Sequence, residues 1–187
     1  MLKIGMTKQE IKDKLIQKGT FIQIDYLNKF LEQNLPRDMK VFCYLQLAEI
    51  YEKMKLFDET AKMRDKMALF SIAFSEKIKN HIKEAEMYIQ SGKFINADEA
   101  VKKARIHANS IEKNNIDLAI KEFYKKQAQE YEREIKRNHA TKIYEKLLRM
   151  NISEVEKQEI KKKLNFLYER LGKPQVFLGD VEKEKFG

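Results

Sequence analysis

Cysteine is nearly missing from this chain of 187 residues, with Cys43 standing alone. One thiol closes no intramolecular disulfide and builds no cysteine-based zinc site, which fits a reducing compartment. Proline and glycine number only 2 and 6, so the punctuation of a strand-and-turn protein is lacking and long helices are favoured. No apolar run approaches the ~18 residues of a membrane-spanning helix. The opening residues, MLKIGMTKQEIKDK, hold no apolar stretch of the secretory type, and a cytoplasmic protein without a membrane span is expected. No basic block exceeds Lys161, Lys162 and Lys163, so the net charge of +9 is spread along the chain. A surplus of that sign favours acidic partners, nucleic acid among them.

Catalytic patterns are also lacking. His81, His107 and His139 form no i, i+4 pair and no HExxH motif, whereas a metal needs several converging ligands. Cys43 lies in VFCYLQLA, an apolar helix face where a free thiol packs rather than reacts. Gly92-Lys93 lacks the upstream glycine and the following hydroxyl of a phosphate loop. No enzymatic activity, cofactor or metal is expected.

What is present is helical periodicity. Hydrophobic residues make up 43 % of the chain and charged residues 36 %, interleaved at helical rather than strand spacing. Thr7 with Glu10, and Ser153 with Glu156, read as capping boxes opening a first and a ninth helix. Thr20 opens the second helix, Pro36 the third and Ser75 the fifth, while Asp58 reads as the N-cap of the fourth. The fourth helix contains MALFSIAF (67–74), apolar on every side, which predicts burial on two faces or a subunit contact. Gly92 ends the fifth helix, the sixth covers about 96–109, and EKNNID reads as a loop before a seventh over about 116–136. Gly172 with Pro174 stops the last helix. The tail VFLGDVEKEKFG is the one strand candidate. Its Val176, Phe177 and Leu178 are expected to cover Leu148, Leu164 or Leu167, or to dock on another copy, which predicts a monomer or a weak homodimer.

Small and large residues recur in AEMYIQSGKFINADEAVKKA (85–104). Ala85, Ala97, Ala100 and Ala104 alternate with Tyr88 and Phe94 around Gly92. Tyr44, Leu47, Ala48 and Tyr51 repeat the first half, and Ala61 and Ala68 the second with one residue inserted in the turn. Tyr124, Ala128 and Tyr131, then Ala140, Tyr144 and Leu147, repeat it again, and Leu164, Tyr168 and Gly172 begin a last unit. This pattern resembles the tetratricopeptide (TPR) repeat, a helical pair with small residues at its crossing and aromatic wedges.

The resemblance implies an all-α, right-handed solenoid of about nine antiparallel helices, against a compact up-down bundle. It divides the chain into an N-terminal hairpin (1–35), repeats (36–172) and a tail (173–187), in one continuous domain. It also implies a protein-interaction scaffold whose concave groove, lined by first helices, takes a peptide or helix of a partner. In this register the groove residues are Leu45, Glu49, Ile82, Glu86, Ile89, Lys125, Gln129, Glu132, Lys162 and Phe166. The alternative is nucleic-acid binding around residues 119–150, through Lys121, Lys125, Lys126, Arg133, Lys136, Arg137 and Lys142 with Tyr124 and Tyr131 interleaved.

Overall fold

A computed structural model describes residues 2–172, so the expectations for the tail lie outside the described residues. Among these, the chain is all helix: α1 (Lys8–Ile16), α2 (Thr20–Leu31), α3 (Arg37–Lys53), α4 (Phe57–Phe70), α5 (Phe74–Gln90), α6 (Phe94–Ile106), α7 (Ser110–Arg133), α8 (Arg137–Leu148) and α9 (Glu154–Arg170). No described helix is long and apolar enough to cross a membrane.

The helix starts follow local chemistry. Thr7–Glu10 and Ser153–Glu156 both form reciprocal capping boxes. Asn109 and Glu112 form another: the Asn109 side chain accepts from the Glu112 N–H at 2.9 Å and the Glu112 carboxylate accepts from the Asn109 N–H at 2.8 Å. That box opens α7 at Ser110, so EKNNID is helical, contrary to the expected loop. Asp58 is not the N-cap of α4, because Leu56 holds that position and Asp58 lies in the first turn.

The run MALFSIAF is not one buried helix. Ser71 ends α4 in an extended conformation, its hydroxyl donating to Met67 O at 2.8 Å. Arg37 donates to the carbonyls of both Phe70 and Ser71, fixing the break. Met67 and Ala68 are buried, while Leu69, Ile72 and Phe74 stand in solvent.

One turn recurs through the chain. After α3, α5 and α7 the backbone enters the left-handed region at Lys55, Gly92 and Ile135, with φ of 57, 76 and 58°. In each case the next N–H bonds back to a tyrosine carbonyl: Leu56 to Tyr51 at 2.9 Å, Lys93 to Tyr88 at 2.8 Å and Lys136 to Tyr131 at 2.8 Å. This is a Schellman motif, which satisfies orphan carbonyls at a helix end. Gly172 repeats the left-handed residue four positions after Tyr168. The following helices all start at the same distance from the tyrosine, with Leu56, Lys93 and Lys136 as N-caps. The expected one-residue insertion before Ala61 is therefore absent. Thr60, not Ala61, stands where the other hairpins place Ala97 and Ala140, and all three are fully buried. Its hydroxyl donates to Leu56 O at 3.0 Å, so no polar group is left unpaired there.

Packing divides the chain into two compact units, up to Ile120 and from Lys121, the boundary falling within α7. In the first unit α2 packs on α3, α3 on α4, α4 on α5 and α5 on α6. Ile11, Leu15, Leu27 and Phe30 share one apolar cluster with Phe42, Cys43 and Leu47 of α3. Each such side chain contributes roughly 1.5–3 kcal/mol on burial. In the second unit α8 packs on α9, and Ala140, Ile143, Leu147, Leu164 and Tyr168 are buried.

Candidate functional site

The ten expected groove residues fall five in each unit. In the first, Leu45 and Ile82 are half-buried on α3 and α5, and Glu49 is exposed. Glu86 pairs with Lys83 at 2.8 Å, and Lys83 also reaches Glu52 of α3 at 3.8 Å. Ile89 is fully buried and belongs to the interior, out of any partner's reach. In the second unit Gln129, Lys162 and Phe166 are exposed, with the Arg170 guanidinium 5.2 Å over the Phe166 ring. Glu132 accepts from Lys163 at 3.1 Å and from the Tyr144 hydroxyl at 2.9 Å. Lys125 does not project freely, because it donates to Glu156 at 2.6 Å.

The basic set proposed for nucleic acid is largely neutralised. Lys121 and Lys125 converge on Glu156, the acidic member of the α9 capping box. The Lys125 hydrogen bond, the Ser153 N–H and Lys121 together hold the Glu156 carboxyl far below the ordinary carboxylate range. Arg133 pairs with Glu130 at 3.0 Å and Lys136 with Glu134 at 2.8 Å. Lys126, Arg137 and Lys142 are exposed and have no carboxylate partner among the described residues. Tyr124 and Tyr131 are buried and offer no ring face for a base to stack on.

The most concentrated polar chemistry lies elsewhere, between α4, α5 and α6. Lys103 donates to Asp65 at 2.7 Å and to Glu84 at 3.1 Å. The other Glu84 oxygen meets His81 Nδ1 at 2.7 Å. The Glu84 side chain is 3 % exposed and the Lys103 side chain 43 %. Desolvation alone would lower the Lys103 ammonium, but Asp65 and Glu84 outweigh it and hold its pKa above the ordinary value. Donor atoms of Asp65, His81 and Glu84 lie within 4.8 Å of one another, close enough to share a cation. The ammonium of Lys103 already bonds two of the three, supplying the positive charge that a metal would bring. The arrangement is therefore an internal ion-pair knot. One signal in the sequence pointed to it: Glu84 holds the position, four before the tyrosine, where Leu47 stands in the α3–α4 hairpin and neutral Gln127 in the α7–α8 hairpin.

Cys43 is buried, and the two remaining histidines each meet an aromatic ring. Burial pushes the Cys43 thiol up to about 12, so no thiolate forms near neutral pH. His107 stacks on Phe74 at 5.3 Å, and His139 leans on Tyr131 at 5.2 Å. A shallow hollow of about 210 Å³ is lined by Ile135, Lys136, Arg137, Asn138, His139 and Leu171. Compared with known proteins, the chain matches no family model, no curated protein and no solved structure.

Proposed function

We propose that the chain is a non-enzymatic scaffold whose first helices present a partner-binding face in a TPR-like, solenoidal arrangement. The observation carrying this reading is the recurrence of one tyrosine-anchored hairpin, at Tyr51, Tyr88 and Tyr131, with the same turn and the same buried small residue. A repeated hairpin offers its partner a repeated face.

The face on α3 and α5 carries Glu52 and Glu86 on either side of Lys83, with Arg64 of α4 also reaching Glu52 at 3.9 Å, and it holds exposed Glu49 and Lys79 and half-buried Leu45 and Ile82. A segment meeting it brings apolar anchors and charges of both signs, because complementary charge sets register and specificity. Immobilised chain should retain a protein partner after nuclease treatment, and Glu49→Lys with Glu86→Lys should abolish that retention. Capture that disappears with nuclease, or that ignores both substitutions, overturns the reading.

A further inference from the structure

The connection between α4 and α5 leaves large apolar side chains in water. Ile72 is 79 % exposed and Phe74 63 %. Leu69, in the last turn of α4, is exposed beside them. Phe74 stacks on His107 at the end of α6, which brings Ile106 and the first turn of α7, with exposed Ile111, to the same end of the unit. Large apolar side chains exposed together at one helix connection mark a candidate binding surface.

Three cations are fastened to this connection. Arg37 donates to the carbonyls of Phe70 and Ser71. The Lys40 ammonium lies 5.3 Å over the Phe70 ring and that of Lys77 5.8 Å over the Phe74 ring. Each is attached through a carbonyl or a ring, and none has a carboxylate partner among the described residues. Of the acids at this end, Asp38 is paired with Lys8 at 3.0 Å and Glu112 caps Asn109. Glu76, in the first turn of α5, is exposed and opposes the surplus.

We propose that this connection is a docking tip for an anionic lipid surface, inserting Ile72 and Phe74 among the headgroups while Arg37, Lys40 and Lys77 meet lipid phosphates. Isoleucine and phenylalanine protruding at a helix connection match a soft apolar layer better than they match a groove-seated peptide. Cations held level with aromatic rings match the charged boundary of that layer. The inference goes beyond the scaffold reading, since it concerns a different surface and a different kind of partner.

The chain has no tryptophan, so Phe74→Trp supplies a single reporter. Its emission should shift to the blue on adding vesicles of phosphatidylcholine with roughly a quarter phosphatidylserine, and stay unchanged with phosphatidylcholine alone. In sedimentation with the same vesicles, the unaltered chain should pellet, and Ile72→Ser with Phe74→Ser should weaken binding about tenfold or more. The melting temperature of that pair should hold, because both side chains are already exposed. Lys40→Gln with Lys77→Gln should weaken binding to the anionic vesicles while leaving the helix content, read by circular dichroism, unchanged. No shift and no pelleting overturn the proposal, as does binding that ignores Ile72→Ser and Phe74→Ser. A blue shift that grows with protein concentration alone also overturns it, by assigning the patch to contact between copies. An acidic peptide that shifts the emission where vesicles do not overturns it in favour of a protein partner.

Discussion

Ile135 sits in the left-handed region at φ 58°, where its β-branched side chain crowds the backbone by about 1–2 kcal/mol. Gly92 holds the equivalent place in the α5–α6 turn without that penalty. Ile135 is exposed and has little burial to lose. Ile135→Gly should therefore raise stability by about 0.5–1 kcal/mol after the added chain entropy of glycine, read as a higher denaturation midpoint with an unchanged slope. The knot around Glu84 makes a second prediction at this scale. Removing Lys103 strands a carboxylate inside the unit, whereas removing Glu84 leaves only one imidazole short of a hydrogen bond. Lys103→Met should destabilise by about 2–3 kcal/mol, moderated because the ammonium is partly solvated and Glu84 keeps His81. Glu84→Leu should stay within about 1 kcal/mol of the unaltered chain, since Leu47 fills the same place in the α3–α4 hairpin. A chemical melt in which Glu84→Leu is the more damaging of the two would show that the knot is a net source of stability. Glu84 was legible as a charge at the place that Leu47 holds in the α3–α4 hairpin. Asp65 and Lys103 were not legible, because they are 38 residues apart and only folding joins them.

At the scale of elements, the two hydroxyl capping boxes were legible, whereas Asp58 lies in the first turn of α4 and not at its N-cap. Thr7–Glu10 and Ser153–Glu156 cap their helices within four residues. Asn109–Glu112 uses the same geometry with asparagine in first place, yet the polar run after it reads as a loop. MALFSIAF went the other way, since hydrophobicity alone does not register that Arg37, far earlier in the chain, bonds to its carbonyls. The repeat was legible through its tyrosines and alanines, but two of its left-handed residues are Lys55 and Ile135, which no turn rule flags. Ala85 and Ala97 are both fully buried. Leucine at either should overpack and lower stability by roughly 1–3 kcal/mol, and an unchanged melting temperature in both variants would remove the crossing. Glu156 joins an element start to α7 through Lys121 and Lys125. Its pKa in the folded chain is depressed, so its contribution is present above the unfolded value of about 4.3 and fades as pH falls below it. Glu156→Gln should lower the melting temperature at pH 7, and the gap to the unaltered chain should narrow on acidification through about pH 4. A gap constant with pH would mean that the carboxylate charge contributes nothing.

For the molecule as a whole, composition was a poor guide to where charge is available. The +9 surplus is real, yet on the α3–α5 face Glu52 is met by both Lys83 and Arg64, and four of the seven basic residues singled out between 121 and 142 are tied to glutamates. The division of packing between Ile120 and Lys121 was equally hidden, for it falls inside the continuous helix α7, with no proline or glycine to mark it. These facts make the nucleic-acid alternative quantitative. Each phosphate neutralised on a single strand adds about −0.7 to the slope of log affinity against log salt. Lys126, Arg137 and Lys142 alone would give a slope of about −2, with no stacking from the buried tyrosines to add salt-independent affinity. Any binding of labelled single-stranded RNA or DNA should thus be weak, shallow in its salt dependence and lost when those three residues become glutamate. A slope steeper than about −4 would require Lys121, Lys125, Arg133 and Lys136 to leave their glutamates for phosphate. In that case the ion pairs would be resting partners of a nucleic-acid surface, and the scaffold reading would yield to it.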